Sequence, residues 1–368
     1  MFFTKYLMLG AFALTLGSTS SLAKDETKEL YVLNWSDYIS PTTIANFEKE
    51  TNIKVHYQLL DSNEILEAKM MAGSSGFDII PPSLHILKRL SDLNLLEPLD
   101  KEKLPNYKNL DPKKLKKIAK VDVDNAYGIP YMELSTGVGY NVDAIKKYLG
   151  EDFVVDSFDI LFKDEIASKL KGCGITVLDS PSDMLCSTLI YLGLDPESTD
   201  TNDYIKARDI LIPAMKNVRY MHSSQYINDL ASGEVCVSIG WSGDVQLAAQ
   251  RAKEANLSKI SYIIPKEGAL TGYDMLAIPK DAKNKENAYL FLDYILRPEV
   301  IAEITNYIRY ANANKEATKY VNKDIAEDKG IYYDDSTLDR MHIVIPHNKV
   351  VKLITKTWNN VRVHSSQE

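Results

Sequence analysis

The chain has 368 residues, 45% of them hydrophobic, and 43 Lys and Arg against 51 Asp and Glu give a formal charge of −8. The acid excess is modest and spread along the chain, which argues against nucleic acid as a partner and suits a cationic ligand. The length exceeds the roughly 250–300 residues at which a single core stops growing, so two lobes are expected.

Residues 1–5 carry one positive charge, Lys5, and residues 6–16 (YLMLGAFALTL) are apolar or small. Ser21, Leu22 and Ala23 follow as a small-residue cleavage site, so residues 1–23 read as a signal peptide. The apolar run is too short to span a bilayer, which takes about 20 residues. No Cys follows the site, so no lipid anchor is expected. The chain from Lys24 is expected to be free in the periplasm.

The next segments alternate strand and helix. Residues 29–34 (ELYVLN) predict a strand, and Ser40 with Pro41 opens a helix to about Asn52, Ser as N-cap and Pro at the first helical position. Residues 53–59 predict a second strand. Asp61, Ser62, Asn63 and Glu64 have capping-box spacing and start a helix over 64–71. Residues 77–80 predict a short buried strand closed by Pro81 and Pro82. Repeated strand–helix–strand units imply parallel sheets with helices on both faces. Such sheets bind ligands at the carboxyl ends of their strands. That singles out Trp35, Ser36, Asp37 and Tyr38 after the first strand, and Ser83 after the short one. Residues 127–141 (YGIPYMELSTGVGYN) read as two extended segments with a lobe crossing near 133–136. Further crossings are expected in 258–265 and 307–314. The basic run 113–120 (KKLKKIAK) reads as a solvated helix face, and 287–296 (NAYLFLDYIL) as an apolar helix ended by Pro298.

Cys173, Cys186 and Cys236 leave two readings in an oxidising compartment: one disulfide with one thiol over, or three reduced buried thiols. Cys173 precedes a strand at 175–178 and Cys236 lies in another at 235–240, which favours the pair Cys173–Cys236 with Cys186 buried on a helix.

No catalytic motif emerges. The six His show no H-x-x-x-H spacing and there is no C-x-x-C, so neither metal nor cofactor is expected. The run Gly240 to Asp244 (GWSGD) lacks the final Gly of a nucleophile elbow. Two of the three Trp do stand beside an acid at a strand end, Trp35 with Asp37 and Trp241 with Asp244; Tyr273 and Asp274 form a third aromatic–acid pair. An aromatic face attracts a cation by about 0.5–2 kcal/mol, and a desolvated ammonium needs carboxylate partners. The combination suits an aliphatic diamine and not a reaction.

The chain resembles the periplasmic polyamine-binding proteins of ABC importers, most of all the putrescine-binding type. The likeness runs from about Glu29 to about Asn359. NWSDYISP, MAGSSGFDII, GVGYN, HSSQYINDL, GWSGD, AIPKDAKNKENAYLFLDYILRPE and YANANK carry it. It implies a type II periplasmic-binding-protein clamshell, α/β, each lobe a mostly parallel sheet with flanking helices, joined by three crossing segments. Residues 24–133 with 262–308 would form one lobe, and 134–261 with 309–368 the other. It implies a polyamine site made of Trp35, Ser36, Asp37, Tyr38, Ser83, Asp183, Ser223, Trp241, Asp244, Asp274 and Tyr310. It also implies membrane permease subunits as partners and a monomeric state; a periplasmic sensor acting through a receptor is the alternative. Asp183 stands where a Glu is typical, so the acid is kept but shortened by one methylene, and two further residues depart from the family pattern more sharply. Gly272 stands where an aromatic wall residue is usual, and Glu133 where a Trp is. They are expected to widen the cleft and make it more acidic, so that spermidine is tolerated beside putrescine; Tyr273 is an additional candidate, which points the other way if the segment is extended.

Overall fold

The computed structural model describes residues 28–333, 335–345 and 348–365. The signal peptide and its cleavage site at Ala23 lie outside them. Strand β1 (Glu29–Trp35) pairs in parallel with β2 (Lys54–Leu60), in register from Glu29↔Lys54 to Trp35↔Leu60. The helix Pro41–Thr51 between them starts at Pro41 and stops where Asn52 turns left-handed, φ 57°. Ser62 caps the following helix, Asn63–Met71, accepting from the Ile65 amide at 3.2 Å. The short strand expected over 77–80 is reduced to two bridges, Val32↔Ile79 and Ile80↔Ala277, which tie β1 to the strand β8 described below.

One strand, β3 (Gly128–Asn141), replaces the two extended segments expected over 127–141. Beyond it come β4 (Ile175–Val177), β5 (Val218–Met221), β6 (Val237–Trp241), β7 (Ile260–Ile263), β8 (Ala269–Ala277), β9 (Ala311–Asn312) and β10 (Met341–His342). β4 lies in parallel between β5 and β6. The second half of β3 pairs antiparallel with β6 and β7, and its first half with β8 and β9. One strand therefore belongs to both lobes and forms the first passage between them.

Each lobe has its own core. Leu30, Val32, Phe47, Ile129, Leu276 and Phe291 pack in the first. Val138, Ile175, Val237, Ile239 and Trp358 pack in the second. The lobe boundaries drawn at 261/262 and 308/309 fall inside packed segments. Tyr262 on β7 is buried in the second core, because all of β7 pairs with the second half of β3. Tyr310, Ala313, Val321 and Ile331 are buried in the first core. Between β7 and β8 the packing changes from the second core, which holds Tyr262, to the first, which holds Leu276. The helix Asn348–Ser365 places Ile354 and Trp358 in the second core, and Asp328 already accepts from Gln246 of the helix Ser242–Glu254 at 2.9 Å.

A disulfide joins Cys173 to Cys236, Cα to Cα 5.4 Å, just ahead of the adjacent strands β4 and β6. Cys186, on the helix Pro181–Tyr191, is free and buried, and burial pushes its thiol up. No helix among the described residues is long and apolar enough to cross a membrane.

Candidate functional site

The strand ends of the two lobes face each other across a cleft of about 1120 Å³, open mouth included. β1 delivers Trp35, Ser36 and Tyr38, and β2 delivers Asp61 and Asn63. Ser83 precedes the helix Leu84–Asp92 and bridges to Asp274 on β8. From the other lobe come Asp183 in the first turn of the helix Pro181–Tyr191, Ser223, Trp241 at the end of β6, and Asp244 in the first turn of the helix Ser242–Glu254. Tyr310 enters just before β9. Trp241 packs against the cores of both lobes.

Four carboxyls line this cleft: Asp61 accepts from Ser36 Oγ at 3.2 Å near the mouth, and three others are held deeper, each by neutral donors. Asp274 accepts from the Tyr38 hydroxyl at 2.8 Å and from Ser83 Oγ at 2.6 Å. Asp244 accepts from the hydroxyls of Tyr310 at 2.7 Å and Tyr226 at 2.8 Å. Asp183 accepts from Thr136 Oγ1 at 2.7 Å, Ser180 Oγ at 2.6 Å and Trp241 Nε1 at 3.2 Å. Burial pushes the Asp244 carboxyl up to about 7 against the pull of its two tyrosines, with Asp37 and Asp274 adding repulsion. Burial likewise pushes Asp274 up to about 6, and Asp183 adds to it. Hydrogen bonds from neutral hydroxyls therefore do not make good the loss of water. No Lys or Arg lines the cleft. His85, the one lining residue able to become a cation near neutral pH, is pushed down to about 4 by burial and stays neutral.

The remaining wall is aromatic and small. The Tyr38 and Tyr310 rings meet edge to face, centroids 5.0 Å apart, and so connect the two carboxyls they serve. Trp35 Nε1 and Ser223 Oγ are buried without a hydrogen-bond partner among the described residues. Buried polar atoms are seldom left so, and both belong to cleft-lining residues. The arrangement offers negative charge, ring faces and two unused polar groups, and no metal-binding cluster occurs among the described residues.

Ten of the eleven residues expected at the site line this cleft; Asp37 does not. It sits at φ 54° with its carboxylate turned to Arg251 at 2.9 Å, an ion pair between the lobes. Glu133 is not in the cleft either. Its carboxylate takes Lys114 Nζ at 2.6 Å, and Lys114 also reaches the Asn312 carbonyl. The basic helix Pro112–Ile118, read as wholly solvated, thus spends one lysine on a half-buried acid. Tyr273 lines the cleft, but its hydroxyl donates to Glu133 at 3.3 Å. Contributors beyond the expected set include Asp61, Asn63, His85, Thr136, Ser180 and Tyr226. Tyr226 stands three residues after Ser223 in the same HSSQY run, and that was the available signal.

Comparison with known proteins gives a consistent picture. Residues 42–331 match the model of the family described as bacterial extracellular solute-binding protein. The chain is 50% identical to the putrescine-binding periplasmic protein PotF of Escherichia coli (strain K12), over 96% of each chain. It is 42% identical to the putrescine-binding periplasmic protein SpuD of Pseudomonas aeruginosa (strain UCBPP-PA14), over 95% of this chain and 96% of that one. Among solved structures, the spermidine/putrescine ABC transporter substrate-binding protein PotD of Streptococcus pneumoniae superposes with a TM-score of 0.73 at 25% identity, covering 92% of this chain and 99% of that one. These relatives are named for binding and not for catalysis, in line with the expectation that the chain is no enzyme.

Proposed function

Since the chain belongs to the bacterial extracellular solute-binding proteins, we propose that it captures a small aliphatic polyamine, putrescine first, in the periplasm and delivers it as a monomer to an ABC permease. The observation that carries this reading is the set of Asp183, Asp244 and Asp274 in a cleft with no lining Lys or Arg. A buried carboxylate without a counter-ion is costly, and a diammonium ligand supplies the missing charge. Methylenes between the ammonium groups suit the faces of Trp35, Trp241 and Tyr38. The names of PotF and SpuD point to putrescine as the first ligand to test.

Titration calorimetry with putrescine and with butanediol, its uncharged isostere, tests the reading. Saturable binding of putrescine and none of butanediol is the expected result. Equal responses to the two, or none to either, would overturn it. Spermidine is sterically admissible beside Gly272, but Glu133 cannot receive its third ammonium while paired with Lys114.

A further inference from the structure

Side chains on one face of a strand recur every second residue, so Asp274, Gly272 and Leu270 of β8 form one row. At about 3.4 Å per residue, Gly272 lies about 7 Å beyond the acid and Leu270 about as far again. The row thus reads acid, gap, apolar stop. All three residues line the cleft.

The gap is real. A Cβ built on Gly272 meets nothing within 4 Å, and its φ is not in the left-handed region. Neither backbone strain nor a close neighbour demands glycine here, so the missing side chain acts only by leaving space. The wall around that space is apolar. Leu270 packs with Cys186 and Ile190 in a small cluster of its own, apart from the cores of the two lobes, with Val344 against it. β10 pairs in parallel with the start of β8, Met341↔Ala269 and His342↔Leu270. The chain then runs on through Ile343, Val344 and Ile345, all three lining the cleft and only half-buried. Apolar surface left open beside a charged box favours a ligand that is cationic at one end and greasy at the other.

We propose that the cleft carries an apolar annex at Gly272, walled by Leu270, Ile343 and Val344, which receives an uncharged aliphatic arm and makes mono-N-alkylated diamines ligands of this protein. The proposal rests on the amine-binding reading above. It differs from tolerance of a triamine, since a terminal ammonium placed in the annex would lie on Leu270 and Val344.

The test compares three amines by calorimetry on the full chain: putrescine, N-propylputrescine and spermidine, which is N-propylputrescine with an ammonium at the end of the arm. N-propylputrescine is expected to bind at least about fivefold tighter than putrescine, because each methylene removed from water favours binding, and tighter than spermidine. Gly272→Phe should lower the ratio of N-propylputrescine to putrescine affinity at least about fivefold by filling the gap. Val344→Glu should shift preference from N-propylputrescine toward spermidine. If N-propylputrescine binds more weakly than putrescine, or Gly272→Phe weakens both alike, the annex is wrong while the diamine reading stands. If none of the three binds, both fall together.

Discussion

Asp274 and Asp244 differ from ordinary surface acids because hydroxyls, not water or lysines, surround them. Asp274→Asn keeps the shape and removes the charge. Truncating one member of a buried charged pair costs about 2–5 kcal/mol, so putrescine affinity should fall roughly thirtyfold or more. Unchanged affinity in a folded variant would take Asp274 out of the site. The same two acids set a pH dependence. From an ordinary value near 3.8, burial in the fold pushes Asp244 up to about 7 and Asp274 up to about 6. Between those values the folded chain holds more protons than the unfolded one, so their contribution to stability falls as pH rises through that window. A bound ammonium favours the ionised form and reverses the trend. The rise in melting temperature on adding putrescine should therefore be larger near pH 8 than near pH 5, and an equal or smaller rise at the higher pH would count against these carboxyls as the ligand's partners. Both residues were legible in the sequence from their strand-end settings beside aromatics. Glu133 and Asp37 were not, because a sequence shows an acid without showing that Lys114 or Arg251 already faces it.

The elements that carry these residues differ in how well the sequence announced them. Alternating strand and helix in the first lobe was readable from caps, prolines and period-two runs, and Ser62 caps as its spacing implies. The continuity of β3 was not, because a strand shared by two lobes has different partners along its two halves and no uniform pattern of its own. Residues 310–331 are hard to assign for a related reason: Tyr310, Val321 and Ile331 pack in the first core, while Asp328 binds Gln246 on a helix of the second. The bridge between Cys173 and Cys236 pins β4 to β6 across a sequence separation of 63. Thiol counting under denaturing, non-reducing conditions should give one, from Cys186. Replacing both bridged cysteines by serine should cost about 2–4 kcal/mol of unfolding free energy, read from denaturant curves. A count of three thiols, or no loss of stability, would show that the bridge does not form.

For the molecule as a whole, the contact that matters most is between Tyr310, buried in the first core, and Gly243, at the head of a helix of the second. A Cβ on Gly243 would stand 2.0 Å from the Tyr310 ring, so Gly243→Ala must push the lobes apart there and break the bond from Tyr310 to Asp244. Hydrogen bonds to charged groups contribute about 1.5–3 kcal/mol, and putrescine affinity should drop about tenfold or more; calorimetry on the variant decides. In the unaltered protein, putrescine should change the fluorescence of Trp35 and Trp241 and shrink the radius measured by X-ray scattering, since domain closure brings both walls onto the ligand. If neither changes at saturation, binding occurs without closure. The cleft's composition gives that motion a further meaning. Four acids without a lysine or arginine amount to one half of a salt. Drawing the walls together around nothing crowds like charges, whereas drawing them around a diammonium completes the lattice. On the proposed function, a closed outline would mark the chain that carries a diammonium and set it apart from the one that does not.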